Sequence, residues 1–163
     1  YITGGKQGSH LINETVFAAL PLLLKNYHVI HQTGSNSVFN DHLRATGIKH
    51  PNYEFFDYDS PKAIQALADA DVVVSRAGAH IVYELGVLGK KCVLIPLPHT
   101  SHSEQLKNAQ ALSAQAVILP QARLSPHTLV SSVTSAMLLR PQNLNLPLDG
   151  TQRLLQLITH QFK

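Results

Sequence analysis

Cysteine occurs once in the 163 residues, which excludes an internal disulfide and any cysteine-rich zinc site. That residue, Cys92, sits in an apolar run and reads as a small core side chain rather than a nucleophile. Charge is scarce: 14% of residues are charged against 44% hydrophobic, a balance that excludes a disordered chain. Lys and Arg are scattered, with a formal net charge of +3 and no dense basic run. Nucleic acid is therefore not an expected partner, and mild steering of an anionic ligand is the most the charge supports. No apolar run approaches the roughly 20 residues needed to cross a bilayer, and no signal peptide, internal repeat or low-complexity tract is visible. A soluble cytoplasmic domain with a proper core is the expectation. The opening Tyr1-Ile2-Thr3 reads as the tail of a strand, so a piece of a longer chain is expected.

Short β-rich runs alternate with helical stretches from one end to the other, the pattern of a parallel α/β sheet. Strands are expected at Tyr1–Thr3, Tyr27–His31, Tyr53–Phe56, Asp71–Ser75, Cys92–Ile95 and Ala116–Leu119. The run Val72-Val73-Val74 is β-branched throughout, which suits a strand buried on both faces. Helices are expected at Ser9–Leu24, with Leu11, Val16, Leu20 and Leu23 or Leu24 on one face, and at Asn36–Thr46, capped by Gly47. Another begins at Ser60-Pro61, with Ser60 as N-cap. Further helices span Gly78–Leu88, His102–Ala114 and Ser125–Leu139. Arg140–Leu148 reads as a linker, and Thr151–Phe162 as an amphipathic helix packing outside the domain, which divides the chain into residues 1–148 and 149–163.

In such sheets ligands sit beyond the carboxyl ends of the strands. Five loops meet there: 4–9, 31–35, 56–60, 75–80 and 96–104. The first, Gly4-Gly5-Lys6-Gln7-Gly8, lets backbone N–H groups approach a phosphate at a helix N-terminus, although a tight turn alone would need the same glycines. It is not Gly-x-Gly-x-x-Gly, and the second strand ends His31-Gln32-Thr33 with no acidic residue for a ribose, so a dinucleotide site is a poor fit. The Gly-Lys-Ser/Thr phosphate loop is absent as well. In Arg76-Ala77-Gly78-Ala79-His80-Ile81-Val82-Tyr83-Glu84, small residues open a helix where a diphosphate could come close. Glu84 could accept from two ribose hydroxyls or be an ordinary solvated carboxylate; spacing does not decide between them.

These motifs, with Asn13, Gly34, Ile95-Pro96-Leu97-Pro98, Gln105 and Asn108-Ala109, resemble the C-terminal domain of the MurG family of N-acetylglucosaminyltransferases, clearly to about Gln121 and loosely beyond. The resemblance implies a Rossmann-like sheet that is the donor half of a two-domain GT-B enzyme. Such an enzyme transfers N-acetylglucosamine from UDP-N-acetylglucosamine to a lipid-linked muramoyl pentapeptide with inversion. It implies that the loop Gly4, Gly5, Lys6 and Gln7 faces the phosphates and that the backbone at Phe56 pairs with uracil. Arg76, Gly78, Ala79, His80 and Ile81 would border the diphosphate, and Glu84 would hold the ribose. Gln105 and Asn108, with His99 and Glu104 on the same edge, would address the sugar. Neither cofactor nor metal is implied, because helix dipoles take the metal's place. The general base and a peripheral contact with the inner face of the membrane would belong to an N-terminal domain.

Three residues depart from the family pattern: Lys6 stands for a small residue, Ile81 for a hydroxyl and Glu104 for His or Gln. Ten histidines raise a metal hypothesis, with His99 and His102 three apart and His80 four before Glu84, but no further ligands follow at zinc spacing. Competing readings are a binding subunit that works with a separate acceptor subunit, a related lipid glycosyltransferase and a UDP-N-acetylglucosamine 2-epimerase.

Overall fold

The computed structural model describes residues 1–36, 38–98 and 103–140. Six strands alternate with six helices. They are β1 (Ile2–Thr3), α1 (His10–Leu23), β2 (Val29–Gln32), α2 (Asp41–Thr46), β3 (Tyr53–Phe56) and α3 (Ser60–Asp69). There follow β4 (Val72–Ser75), α4 (Ala79–Val87), β5 (Lys91–Leu94), α5 (Glu104–Ala111), β6 (Ala116–Ile118) and α6 (Pro126–Met137). All pairings are parallel, in the order β3-β2-β1-β4-β5-β6. The chain thus builds outward from β1 to one edge, crosses back and builds from β4 to the other. The crossover leaves a crevice at the carboxyl ends of β1 and β4, where α1 and α4 depart to opposite faces.

Two apolar layers cover the sheet. Ile12, Val16, Leu20 and Leu23 of α1 and Leu129 and Val133 of α6 bury one face. Leu67 of α3, Val82 and Leu85 of α4 and Ala109 of α5 bury the other. Val73, Val93 and Leu94 are fully or almost fully buried, as strands covered on both faces require. Cys92 is among them; its Sγ donates to the Gln115 carbonyl, and burial pushes the thiol up to about 12, so it is core and unreactive. An open cavity of about 750 Å³ is lined by Tyr1, Val29, Ile30, Phe56, Val72 and Val133.

The core also holds one polar chain. His31 is fully buried, with Nδ1 3.0 Å from the Tyr53 hydroxyl and Nε2 3.1 Å from Asn13 Oδ1. An amide oxygen only accepts, so Nε2 carries the proton and Nδ1 accepts from Tyr53. Asn13 Nδ2 donates to the Thr33 carbonyl at 2.9 Å and to Asp41 Oδ2 at 2.7 Å. Burial pushes the His31 imidazole down to about 3, keeping it neutral.

Several local expectations change. Leu11 is 44% exposed, and Ile12 takes its place on the buried stripe of α1. The second helix starts at Asp41, after Asn40 in the left-handed region (φ 54°), and not at Asn36. Asp59, rather than Ser60, caps α3, its carboxylate accepting from the Lys62 N–H at 3.1 Å; Ser60 is already helical. Both residues precede Pro61, and the extended backbone at Asp59 (φ −141°) makes it the cap. The fifth helix ends at Ala111, with 112–115 in turns. The expected linker, the terminal helix, His99 and His102 lie outside the described residues.

Candidate nucleotide-sugar site

The first loop is a turn closed by the Gly8 N–H on the Gly5 carbonyl at 2.9 Å. Gly5 and Gly8 have φ of +89° and +82°, where a side chain strains the backbone. A methyl on Gly8 would also overlap the Thr33 carbonyl, and one on Gly34 would overlap Gly8. The β1–α1 and β2–α2 loops therefore pack backbone to backbone, and Asn13 ties the second to α1 through Thr33. Gly5 itself is held from both sides. Its N–H donates to Thr3 Oγ1 at 2.9 Å, and its carbonyl accepts from Gln32 Nε2 at 2.9 Å. The Tyr1 hydroxyl donates in turn to Gln32 Oε1. The Gly5 amide is thus engaged within the chain, and the donors that face outward lie further along. The carbonyls of Lys6 and Gln7 accept from the N–H groups of Ser35 and Asn36, and both side chains are exposed. Gly4 packs against the backbone of Ser9.

Arg76 joins three strand ends. Its Nη2 donates to Ser9 Oγ at 2.8 Å and its Nη1 to the Ile95 carbonyl at 3.3 Å. Burial lowers its pKa, and no carboxylate pairs with it among the described residues. Ser9 is the N-cap of α1, but its hydroxyl caps nothing. Gly78 is the N-cap of α4 and has no side chain to cap with. Among the described residues, the first-turn amides of both helices therefore lack acceptors. Asp59 caps α3 and Ser125 closes a capping box on α6, whereas α2 and α5, like α1 and α4, have no side-chain cap. Two uncapped positive helix ends and a cation with no carboxylate partner among the described residues converge on the crevice, a field suited to a phosphate. Gly78 has an ordinary φ of −67°, and a methyl there would meet nothing within 4 Å. The chain's own packing does not require glycine at that point.

Glu84 stands exposed in the second turn of α4. Below it the Tyr1 ring lies 6.4 Å from Phe56, nearly parallel. Burial, above all, pushes the Tyr1 phenol up to about 12, and the nearby Glu84 and Tyr58 add to the shift. The Phe56 carbonyl already accepts from the Thr33 N–H at 2.9 Å and Thr33 Oγ1 at 3.2 Å. Lys6 Nζ lies 5.3 Å from the centre of the Tyr58 ring.

Asn108 Nδ2 donates to the Ala77 carbonyl at 3.1 Å, and Gln105 Oε1 accepts from the Leu97 N–H at 3.0 Å. Asn108 ties α5 to the β4–α4 loop, and Gln105 ties the start of α5 back onto the β5–α5 loop. Glu104 opens α5 and is exposed, as is His80, while Ile81 is half-buried against the core beneath α4. Sequence reasoning put Gln32 and Tyr58 on this edge only as members of their loops, and it missed Tyr1 and Thr3. Strand register alone puts Thr3 beside Gln32 and Gln32 beside Phe56.

One cluster of metal-ligating type was not foreseen: His10, Glu14 and Asp41 bring their atoms within 4.8 Å of one another. Asp41 is already occupied by His10 at 2.8 Å and by Asn13, and Glu14 pairs with Arg44. The positive ends of α1 and α2 adjoin it, which opposes a cation. The cluster reads as a brace between helices.

The family model for the glycosyltransferase family 28 C-terminal domain matches residues 1–149. A UDP-N-acetylglucosamine–N-acetylmuramyl-(pentapeptide) pyrophosphoryl-undecaprenol N-acetylglucosamine transferase of Lachnoclostridium phytofermentans is 36% identical over 138 residues, 81% of this chain and 37% of its own. The same-named protein of Clostridium perfringens is 33% identical over 147 residues, 88% of this chain and 40% of its own. The crystal structure of Acinetobacter baumannii MurG superposes with a TM-score of 0.78 at 27% identity, covering 98% of this chain and 48% of that one. A glycotransferase of kitacinnamycin shares the fold, with a TM-score of 0.70 at 20% identity. The chain therefore spans well under half the length of the curated relatives it matches. With a parallel sheet in this order and a match along nearly its whole length, this chain belongs to glycosyltransferase family 28, in its C-terminal domain.

Proposed function

We propose that this chain is the donor-binding half of an inverting glycosyltransferase that takes N-acetylglucosamine from UDP-N-acetylglucosamine to a lipid-linked muramoyl pentapeptide. The observation that carries the reading is Arg76, a cation with no carboxylate partner among the described residues, between the uncapped ends of α1 and α4 at the crossover crevice. The names of the relatives supply the sugar and the acceptor. In the transfer the acceptor hydroxyl oxygen attacks the anomeric carbon, the bond from that carbon to UDP breaks, and the hydroxyl proton passes to a base. This half supplies the other side of the balance. Oriented N–H groups of residues 79–81 and 10–12, with Arg76 behind them, stabilise the charge that gathers on the departing diphosphate. Glu84 grips the ribose. Gln105 and Asn108 hold the loops that face the sugar, while Gly4, Gln7, His80, Ile81 and Glu104 line the same edge. No base is assigned within this chain; it belongs to the larger part of the relatives' length, outside this match. No helix among the described residues is long and apolar enough to cross a membrane. In this reading the acceptor's lipid brings the reaction to a membrane surface, on its cytoplasmic side, with contact made by that other part.

Calorimetric titration with UDP tests the reading. Glu84→Ala should weaken UDP by about 1–3 kcal/mol, the cost of stranding hydrogen-bond partners. Unchanged affinity would remove the ribose role. Preference for UDP-glucose over UDP-N-acetylglucosamine would shift the sugar.

A further inference from the structure

The β1–α1 and β3–α3 loops belong to strands two places apart in the sheet, roughly 10 Å at the usual spacing. One side chain bridges them. Lys6 reaches across the end of β2 and sets its ammonium 5.3 Å from the Tyr58 ring centre. Tyr58 is held in place, its hydroxyl accepting from Ser60 Oγ at 2.9 Å, next to the capped start of α3. The ring is half-buried, with the Lys6 ammonium over one of its faces. The ammonium is exposed on a flexible stem and has no carboxylate partner among the described residues. An exposed cation–π contact is weak and exchanges readily for a full negative charge.

The order of groups along the crevice matters. The uncapped end of α4 and Arg76 come first, then Glu84 one and a half turns on, then the Tyr1 and Phe56 rings, and then Tyr58. A nucleoside diphosphate has the same order: diphosphate, ribose, base. We propose that Lys6 and Tyr58 form a two-part specificity element of this site, in which Lys6 leaves the ring to pair with the diphosphate and the ring it uncovers stacks on the nucleobase. The inference rests on the donor-site reading and adds to it. A planar base replaces the cation on the same ring face, so each group's departure makes room for the other. Lys6 is a diphosphate reader and Tyr58 a base platform that tolerates any flat base, since stacking needs only a π face.

The test uses the whole 163-residue chain and measures affinity for UDP and for uridine, by calorimetry and by chemical-shift titration. Lys6→Met should weaken UDP about tenfold and leave uridine within about twofold, because only the first carries the charge a lysine reads. Tyr58→Leu should weaken both ligands by a similar factor of about ten, and Tyr58→Phe should restore both, because the ring and not the hydroxyl does the stacking. Both positions are on loops at the surface, and circular dichroism of each variant checks that the fold is intact. Two results overturn the inference: Lys6→Met weakening uridine as much as UDP, or Tyr58→Leu leaving uridine unchanged. If neither variant moves any affinity while Glu84→Ala weakens UDP, the donor site stands and this element falls. If the unaltered chain binds no UDP, both fall.

Discussion

Replacing Arg76 by methionine separates a structural strut from an anion site. Met keeps much of the aliphatic length and removes the guanidinium, so two hydrogen bonds are lost, to Ser9 Oγ and to the Ile95 carbonyl. Each is worth about 0.5–1.5 kcal/mol net. Against that loss, the variant no longer holds a partly buried cation without a carboxylate beside two positive helix ends. Relief of that repulsion and desolvation offsets part of the loss, so folding stability should fall by no more than about 2 kcal/mol. Ligand affinity has no such compensation. The diphosphate loses a neighbouring positive charge and the Ser9 hydroxyl loses its anchor, and UDP should weaken by about 1.5–3 kcal/mol, the range for hydrogen bonds to charged groups. Urea denaturation gives the first quantity and calorimetric titration the second. Raising the salt concentration should narrow the difference between wild type and variant, because a charge interaction near the surface is screened. A variant that unfolds several kcal/mol more easily yet binds UDP as before would show that Arg76 serves only to tie the loops, and the electrostatic argument for the site would be wrong.

Other consequences follow from the same geometry. His31 is buried neutral with its pKa near 3. Its folded value lies below the unfolded one of about 6.5, so the unfolded state alone takes up a proton as pH falls between them, and stability drops by about 1.4 kcal/mol per pH unit. By pH 5 that is about 2 kcal/mol relative to neutrality, and urea titrations of the wild type and of His31→Gln at both pH values should differ by that amount. Gly8→Ala should destabilise the fold by more than about 2 kcal/mol, because φ is +82° and the methyl overlaps the Thr33 carbonyl. Gly78→Ala should leave thermal stability within about 0.5 kcal/mol, since space there is open, and should lower UDP affinity by crowding the α4 opening. A Gly8→Ala chain as stable as the wild type, or a Gly78→Ala chain that binds UDP unchanged, would overturn these roles.

The strands were legible because a sheet covered on both faces needs continuous apolar runs, and Val72-Val73-Val74 and Cys92-Val93-Leu94 are such runs. The opening of α4 was legible for a similar local reason, small residues followed by a periodic apolar stretch. Ranges failed where two neighbours could do one job. Asp59 and Ser60 are both competent caps before a proline, and only the built backbone shows the carboxylate reaching Lys62. The second helix started late because Asn40 takes a left-handed turn that no periodicity announces. Leu11 looked like a core residue by type, but the buried face of α1 runs through Ile12, Val16, Leu20 and Leu23 at helical spacing, and Leu11 lies one position off it.

Alternation of β-rich and helical segments was enough to require a parallel sheet with helices on both faces, and the placing of glycines was enough to point at two loops. Together they put all five loops on one edge without saying which two are neighbours. Strand order decides that, because β1 and β4 become neighbours only when the chain crosses back, and their helices then leave in opposite directions from one crevice. Register decides the rest, setting Tyr1, Gln32 and Thr3 under Gly5 and so engaging the very amide that local pattern had assigned to phosphate. Which donors remain for a ligand depends on contacts between residues tens of positions apart, and those exist only once the chain is folded.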